Sequence, residues 1–108
     1  MAGNSKFKVL LVLEADSDKE TIVDWYETIK PDLGLAWLNE YDRIENSISR
    51  NPYLYEENLL FIRRAVFQRF PYTVYYRIDE EEQLIIILGV LHQRQDRNEI
   101  LRRINLIE

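Results

Sequence analysis

The chain has 108 residues, 46% of them hydrophobic, with 19 Asp and Glu against 14 Lys and Arg and a formal net charge of −5. That length supports one core and not two, so a single domain over residues 1–108 is expected, with 1–6 as a flexible tail. Zero cysteines exclude disulfides and thiolate metal sites, one histidine leaves no imidazole cluster, and the longest apolar run, Leu84 to Leu91, is far short of the roughly 20 residues that cross a bilayer, so the expectation is a cytoplasmic protein with no metal, no cofactor and no membrane span.

Phe7, Val9, Leu11 and Leu13 open the chain as a mostly apolar first strand. Ser17-Asp18-Lys19-Glu20 has the form of a capping box, and Ile22, Trp25, Tyr26 and Ile29 follow at helical spacing until Pro31. A second helix is expected from about Leu33 to Ile48, where Trp37, Tyr41, Ile44 and Ile48 recur on one stripe and Asn51-Pro52 closes it. With so short a connection the two helices form an antiparallel hairpin, and Trp25, Tyr26, Trp37 and Tyr41 are expected to face a sheet as core.

After a polar loop over 53–58 come three strands. Leu60 to Phe67 alternates around Arg63-Arg64, Phe70-Pro71 turns, Tyr72 to Asp79 forms the next strand, and Glu80-Glu81-Glu82 is a solvated turn. Leu84 to His92 is apolar on both parities, as in a strand covered on both faces, yet it ends on His92, Gln93 and Arg94. Asp96 as an N-cap then leads a short helix to Ile107. The expected fold is α+β, a two-helix hairpin on one face of a mainly antiparallel four-stranded sheet in the order β-α-α-β-β-β with a short C-terminal helix, the helices covering one face only.

The acidity is uneven. Residues 61–104 hold 8 Arg against 6 Asp and Glu, and every basic residue after Lys30 is an arginine, whose planar fork suits carboxylate or phosphate. Ordinary strand-surface charge explains the same pattern equally well.

Arg63-Arg64-Ala65, Phe70-Pro71-Tyr72, Tyr75-Tyr76-Arg77 and Val90-Leu91-His92 through Asp96, in this order, resemble the RelE/ParE superfamily of bacterial toxins, the toxin halves of type II toxin–antitoxin modules, also called plasmid stabilisation proteins. The resemblance covers Lys8 to about Ile104. It implies a cognate antitoxin as partner and either of two targets. In a RelE-like ribosome-dependent mRNA endoribonuclease, His92 would be the acid or base and Arg64, Arg77 and Arg94 the phosphate stabilisers, gathered on one open ledge of the sheet. In a ParE-like toxin, growth is inhibited by gripping DNA gyrase and no catalytic group is needed. A non-toxic relic or interaction domain keeps the same fold. The family more often shows arginine before the aspartate, where this chain has Gln95, and an acidic protein is repelled by ribosomal RNA. Both departures favour the ParE-like reading and a chain that is not an enzyme.

Overall fold

The computed structural model describes residues 7–94 and 97–107. The expected tail over 1–6, Gln95 and the Asp96 cap lie outside the described residues. The elements are β1 (Lys8–Leu11), α1 (Leu13–Ile29), α2 (Leu33–Arg50), β2 (Glu57–Leu59), β3 (Ile62–Val66), β4 (Tyr72–Asp79), β5 (Leu84–His92) and α3 (Arg97–Ile107). They build one sheet in the order β1-β5-β4-β3-β2, with β1 parallel to β5 and the other neighbours antiparallel.

The first strand is shorter than its sequence pattern. The Val12 N–H donates to the Ile87 carbonyl at 3.1 Å, and α1 begins at once, without a side-chain cap and with Glu14 and Asp16 in its first turn, where the helix dipole favours acids. The capping box at Ser17 is therefore not used, because the helix already begins at Leu13 and leaves Ser17 within its second turn. Between the helices, Asp32 takes a left-handed conformation (φ 71°), and the Glu27 carboxylate accepts the Asp32 and Gly34 N–H groups at 3.3 and 2.8 Å, satisfying the start of α2 from the neighbouring helix. A Cβ on Gly34 would stand 2.6 Å from the Val23 carbonyl, so the close crossing of the hairpin needs glycine there.

Trp37, Tyr41 and Ile48 on α2 are fully buried, and with Ile22, Phe67, Tyr72, Val74, Tyr76, Ile85, Ile87 and Val90 they form the main core. Trp37 stacks on Tyr41 and Phe67 and meets Tyr72 edge-on. Trp25 departs from expectation: it is 57% exposed, because the sheet-facing stripe of α1 runs through Ala15 and Ile22. The turn between β3 and β4 is held by α2, whose buried Glu40 accepts the Gln68 N–H at 2.7 Å and the Arg69 N–H at 3.2 Å.

Two further expectations are corrected. The sheet has five strands, since Glu57–Leu59, within and just beyond the polar loop, pairs with β3 as an edge strand. Helices also cover both faces: α3 places Ile100 and Ile104 against Ile62, Tyr75, Leu88 and Leu91 on the side opposite the hairpin. That second layer is the reason β5 is apolar on both parities.

Candidate functional site

Partners in an antiparallel pair point to the same face of a sheet, so the β4–β5 register locates each side chain. Tyr76 faces Ile87, and Tyr75 faces Gly89; Leu88 is an extra residue, a β-bulge in the middle of β5. Before the bulge, Ile85 and Ile87 point to the helical hairpin and Ile86 points away. After it the parity is exchanged: Val90 points to the hairpin and Leu91 to α3. His92, opposite Tyr72, therefore stands on the hairpin face, where its ring meets the Tyr72 ring edge-on at 5.2 Å.

His92 is half-buried at the end of the aromatic core. Its Nδ1 accepts the Arg94 N–H at 3.1 Å, which leaves Nε2 as the nitrogen that carries the proton in the neutral ring, while the Gln93 N–H donates to the Pro71 carbonyl at 2.9 Å and ties the end of β5 to the turn before β4. Burial, and then neighbouring Tyr26, push the Tyr72 hydroxyl up to about 12, so it stays protonated.

The three arginines expected beside the imidazole are not gathered there. Arg64 pairs with Tyr75 and Arg77 with Ile86, which places both on the α3 face, opposite His92. Arg77 is also displaced along β4 from Tyr72 by roughly 17 Å at the rise of a strand. Arg64 donates to Glu56 at 3.3 Å on an exposed loop, and Arg63 donates to the Tyr55 carbonyl at 2.6 Å and lies over the Tyr53 ring. Arg94 alone adjoins His92, through its backbone. Were β5 to run through the same sequence without a bulge, plain alternation from Ile86 would put His92 on the face of Ile86, Arg77 and Arg64.

Arg77 and Arg63 instead line a cleft of about 500 Å³ with Tyr53, Phe61, Glu57, Asp79, Glu80 and Glu81. Four carboxylates against two guanidinium groups make it a poor phosphate site. Among the described residues no group of His, Cys, Asp and Glu is arranged to hold a metal ion.

The charged constellation that sequence reasoning missed lies at the other edge of β5. Beyond the end of β1 that edge has no neighbouring strand, and side chains take the place of one. Asp18 accepts the Val90 N–H at 2.9 Å, and Arg103 Nη1 donates to the Leu88 carbonyl at 3.2 Å. The two are joined to each other by bonds of 2.7 and 3.0 Å, and Glu99 accepts from Arg103 Nε at 2.8 Å. Arg102 bridges Glu14 and Glu99, both at 2.6 Å. The paired guanidinium groups hold the Glu99 carboxyl at about 2, well below its ordinary 4.5. A Cβ on Gly89 would stand 2.6 Å from Arg103 Nη1, so glycine admits the guanidinium to the bulge. A signal existed in the sequence, the glycine inside an apolar strand, which marks a bulge or a close approach.

Past this plug the edge of β5 opens into a groove of about 410 Å³ lined by Asp18, Thr21, Ile22, Trp25, Tyr72 and Val90. An exposed indole beside a strand edge offers an extended peptide an apolar wall.

A family model, the ParE toxin of the type II toxin–antitoxin system parDE, matches residues 9–97. Among solved structures the chain is similar to the chromosomal ParDE toxin–antitoxin system from P. aeruginosa, with 17% identity, a TM-score of 0.69, and coverage of 80% of this chain and 95% of that one. It is also similar to the toxin–antitoxin complex RelBE2 from Mycobacterium tuberculosis, with 22% identity, a TM-score of 0.55, and coverage of 81% and 91%. No curated protein matches.

Proposed function

The chain belongs to the ParE toxin family of type II toxin–antitoxin systems, and from that premise we propose that it is a toxin that acts by gripping a protein, DNA gyrase, and is neutralised by a cognate antitoxin. The observation that carries the gripping mechanism is the Leu88 bulge. It sets His92 on the hairpin face while Arg64 and Arg77 stand on the other, so base and charge stabilisers do not converge on one phosphate. The acidic balance of −5 supports the same reading, since a partner of RNA needs phosphate-neutralising cations. The family premise and the likeness to two toxin–antitoxin assemblies support the antitoxin, and the Trp25 groove, about 410 Å³ with an exposed indole in its wall, is a surface that could take part of it.

The experiment is induced expression of the wild type and of His92→Ala with separate readouts of translation and of DNA supercoiling. Growth arrest with altered supercoiling, intact transcripts and an equally toxic His92→Ala variant is expected. Cleaved transcripts that disappear in His92→Ala would instead select ribosome-dependent cleavage, with His92 as the acid or base and Arg94 as its neighbour. Wild-type expression that leaves growth unaffected would point to the non-toxic relic. Co-expression of the product of an adjacent small gene should restore growth and co-purify with the chain.

A further inference from the structure

A second groove, of about 330 Å³, lies between α1 and α2 and is lined by Asp16, Lys19, Glu20, Val23 and Asp24 from the first helix and Leu38 from the second. Its apolar part is Val23 and Leu38, half-buried side chains packed on the main core from the outside. Its rim is negative. Asp16, Glu20 and Asp24 are exposed and recur at i, i+4 and i+8, so they stand on one ridge of α1 at intervals of roughly 6 Å. Like charges at that spacing work against the helix that carries them. Among the described residues none of the three has an ion-pair partner. Lys19, the cation of the lining, is directed onto the Tyr41 ring, 4.2 Å from its centroid, and not onto a carboxylate. Burial first, then the hydrogen bond to Glu45, and last the charge of Asp16 raise the Tyr41 hydroxyl beneath this lysine far above the ordinary range. Arg64, Arg102 and Arg103, by contrast, are each matched by a carboxylate.

We propose that this groove docks a basic amphipathic helix of a protein partner. An aliphatic side chain of that helix rests on Val23 and Leu38, and lysines or arginines one turn apart reach Asp16, Glu20 and Asp24. The furrow between two packed helices is the shape that receives the ridge of a third. Cations spaced by one turn match a carboxylate row of the same period, so shape and charge name the same ligand. The site is distinct from the Trp25 groove and needs no toxic activity.

The probe is a synthetic helical peptide of roughly 18 residues with leucine on one stripe and lysine on its flanks, set against the same peptide with glutamate for lysine. Each is titrated into the full chain and followed by backbone amide shifts and by fluorescence anisotropy. Saturable binding of the lysine peptide is expected, with shifts concentrated at residues 16–24 and at Leu38, and none for the glutamate peptide. Asp16→Asn, Glu20→Gln and Asp24→Asn together should weaken it about tenfold. Glu57→Gln, Glu81→Gln and Glu82→Gln together make the same change of net charge on other elements and should weaken it less than about twofold. Equal loss in the two triple variants, no binding of the lysine peptide, or shifts that avoid Val23 and Leu38 would overturn the proposal. Both triple variants change only exposed carboxylates, and unchanged circular dichroism establishes that they fold.

Discussion

Replacing Asp18 by Ala tests whether a side chain really substitutes for a missing strand. In the folded protein the carboxylate binds two nitrogens of a guanidinium whose side chain is 8% exposed, at 2.7 and 3.0 Å, and caps the Val90 N–H at 2.9 Å. Breaking a buried ion pair from one side costs about 3–5 kcal/mol, and orphaning a buried N–H costs about 1–3 kcal/mol. Two features reduce that sum. Asp18 is itself 16% exposed, and Arg103 keeps Glu99 at 2.8 Å. A net loss of about 3 kcal/mol is expected, which for a domain of this size lowers Tm by roughly 12–20 °C. Denaturant unfolding measures it directly, and amide exchange at Val90 should accelerate beyond that of its neighbours in β5. The double variant Asp18→Ala with Arg103→Met removes both charges, so it should be more stable than the sum of the single effects by about 2 kcal/mol. A loss below about 0.5 kcal/mol for Asp18→Ala, or strict additivity in the cycle, would refute the idea that this pair closes the edge.

Three further outcomes follow from the same contacts. Glu99 has its folded pKa depressed to about 2 from 4.5, so its contribution to holding α3 is complete above about pH 4.5 and is lost as pH falls through about 2; acid titration should release Ile100 and Ile104 from the sheet before the main core melts, as seen in their methyl resonances. Glu40→Ala should destabilise by about 2–3 kcal/mol and expose the Gln68 and Arg69 amides to exchange, with Glu40→Gln recovering part of the loss because one oxygen acceptor remains. Trp37→Ala should cost about 3–5 kcal/mol, whereas Trp25→Ala, at a position 57% exposed, should change stability by less than about 1 kcal/mol, both read from denaturation midpoints.

The elements with strong periodicity are legible in the sequence. Leu84–His92 and Tyr72–Asp79 have the bounds their apolar patterns and flanking turns indicate, and Leu33–Arg50 follows its stripe of Trp37, Tyr41, Ile44 and Ile48. Misreadings arose where a local motif competed with a distant partner. Ser17-Asp18-Lys19-Glu20 has the composition of a helix start, but the helix already begins at Leu13 after the Val12 N–H is taken by the Ile87 carbonyl, and Asp18 within it is bound by Val90 and Arg103, 72 and 85 residues away in the chain. The short strand Glu57–Leu59 lacks an apolar pattern because it is an edge strand held by β3, and Trp25 lies on a helix whose buried stripe is narrow. The expected site residues were individually plausible for phosphate chemistry, yet their assembly depended on strand register, which composition does not encode.

Alternation and helical spacing are properties of a few adjacent residues, so the main elements and their order were already written in the chain, and the likeness to a toxin family lay in the order of its short motifs from Arg63-Arg64-Ala65 to Asp96. Which face the end of β5 presents was decided by the bulge at Leu88. Because side chains in a strand change face at every step, the bulge at Leu88 sets Val90, Leu91 and His92 on the faces opposite to those that plain alternation from Ile85 would give them. That bulge is specified by packing from both layers and by the fit of Arg103 over Gly89, contacts that exist only after the chain has folded.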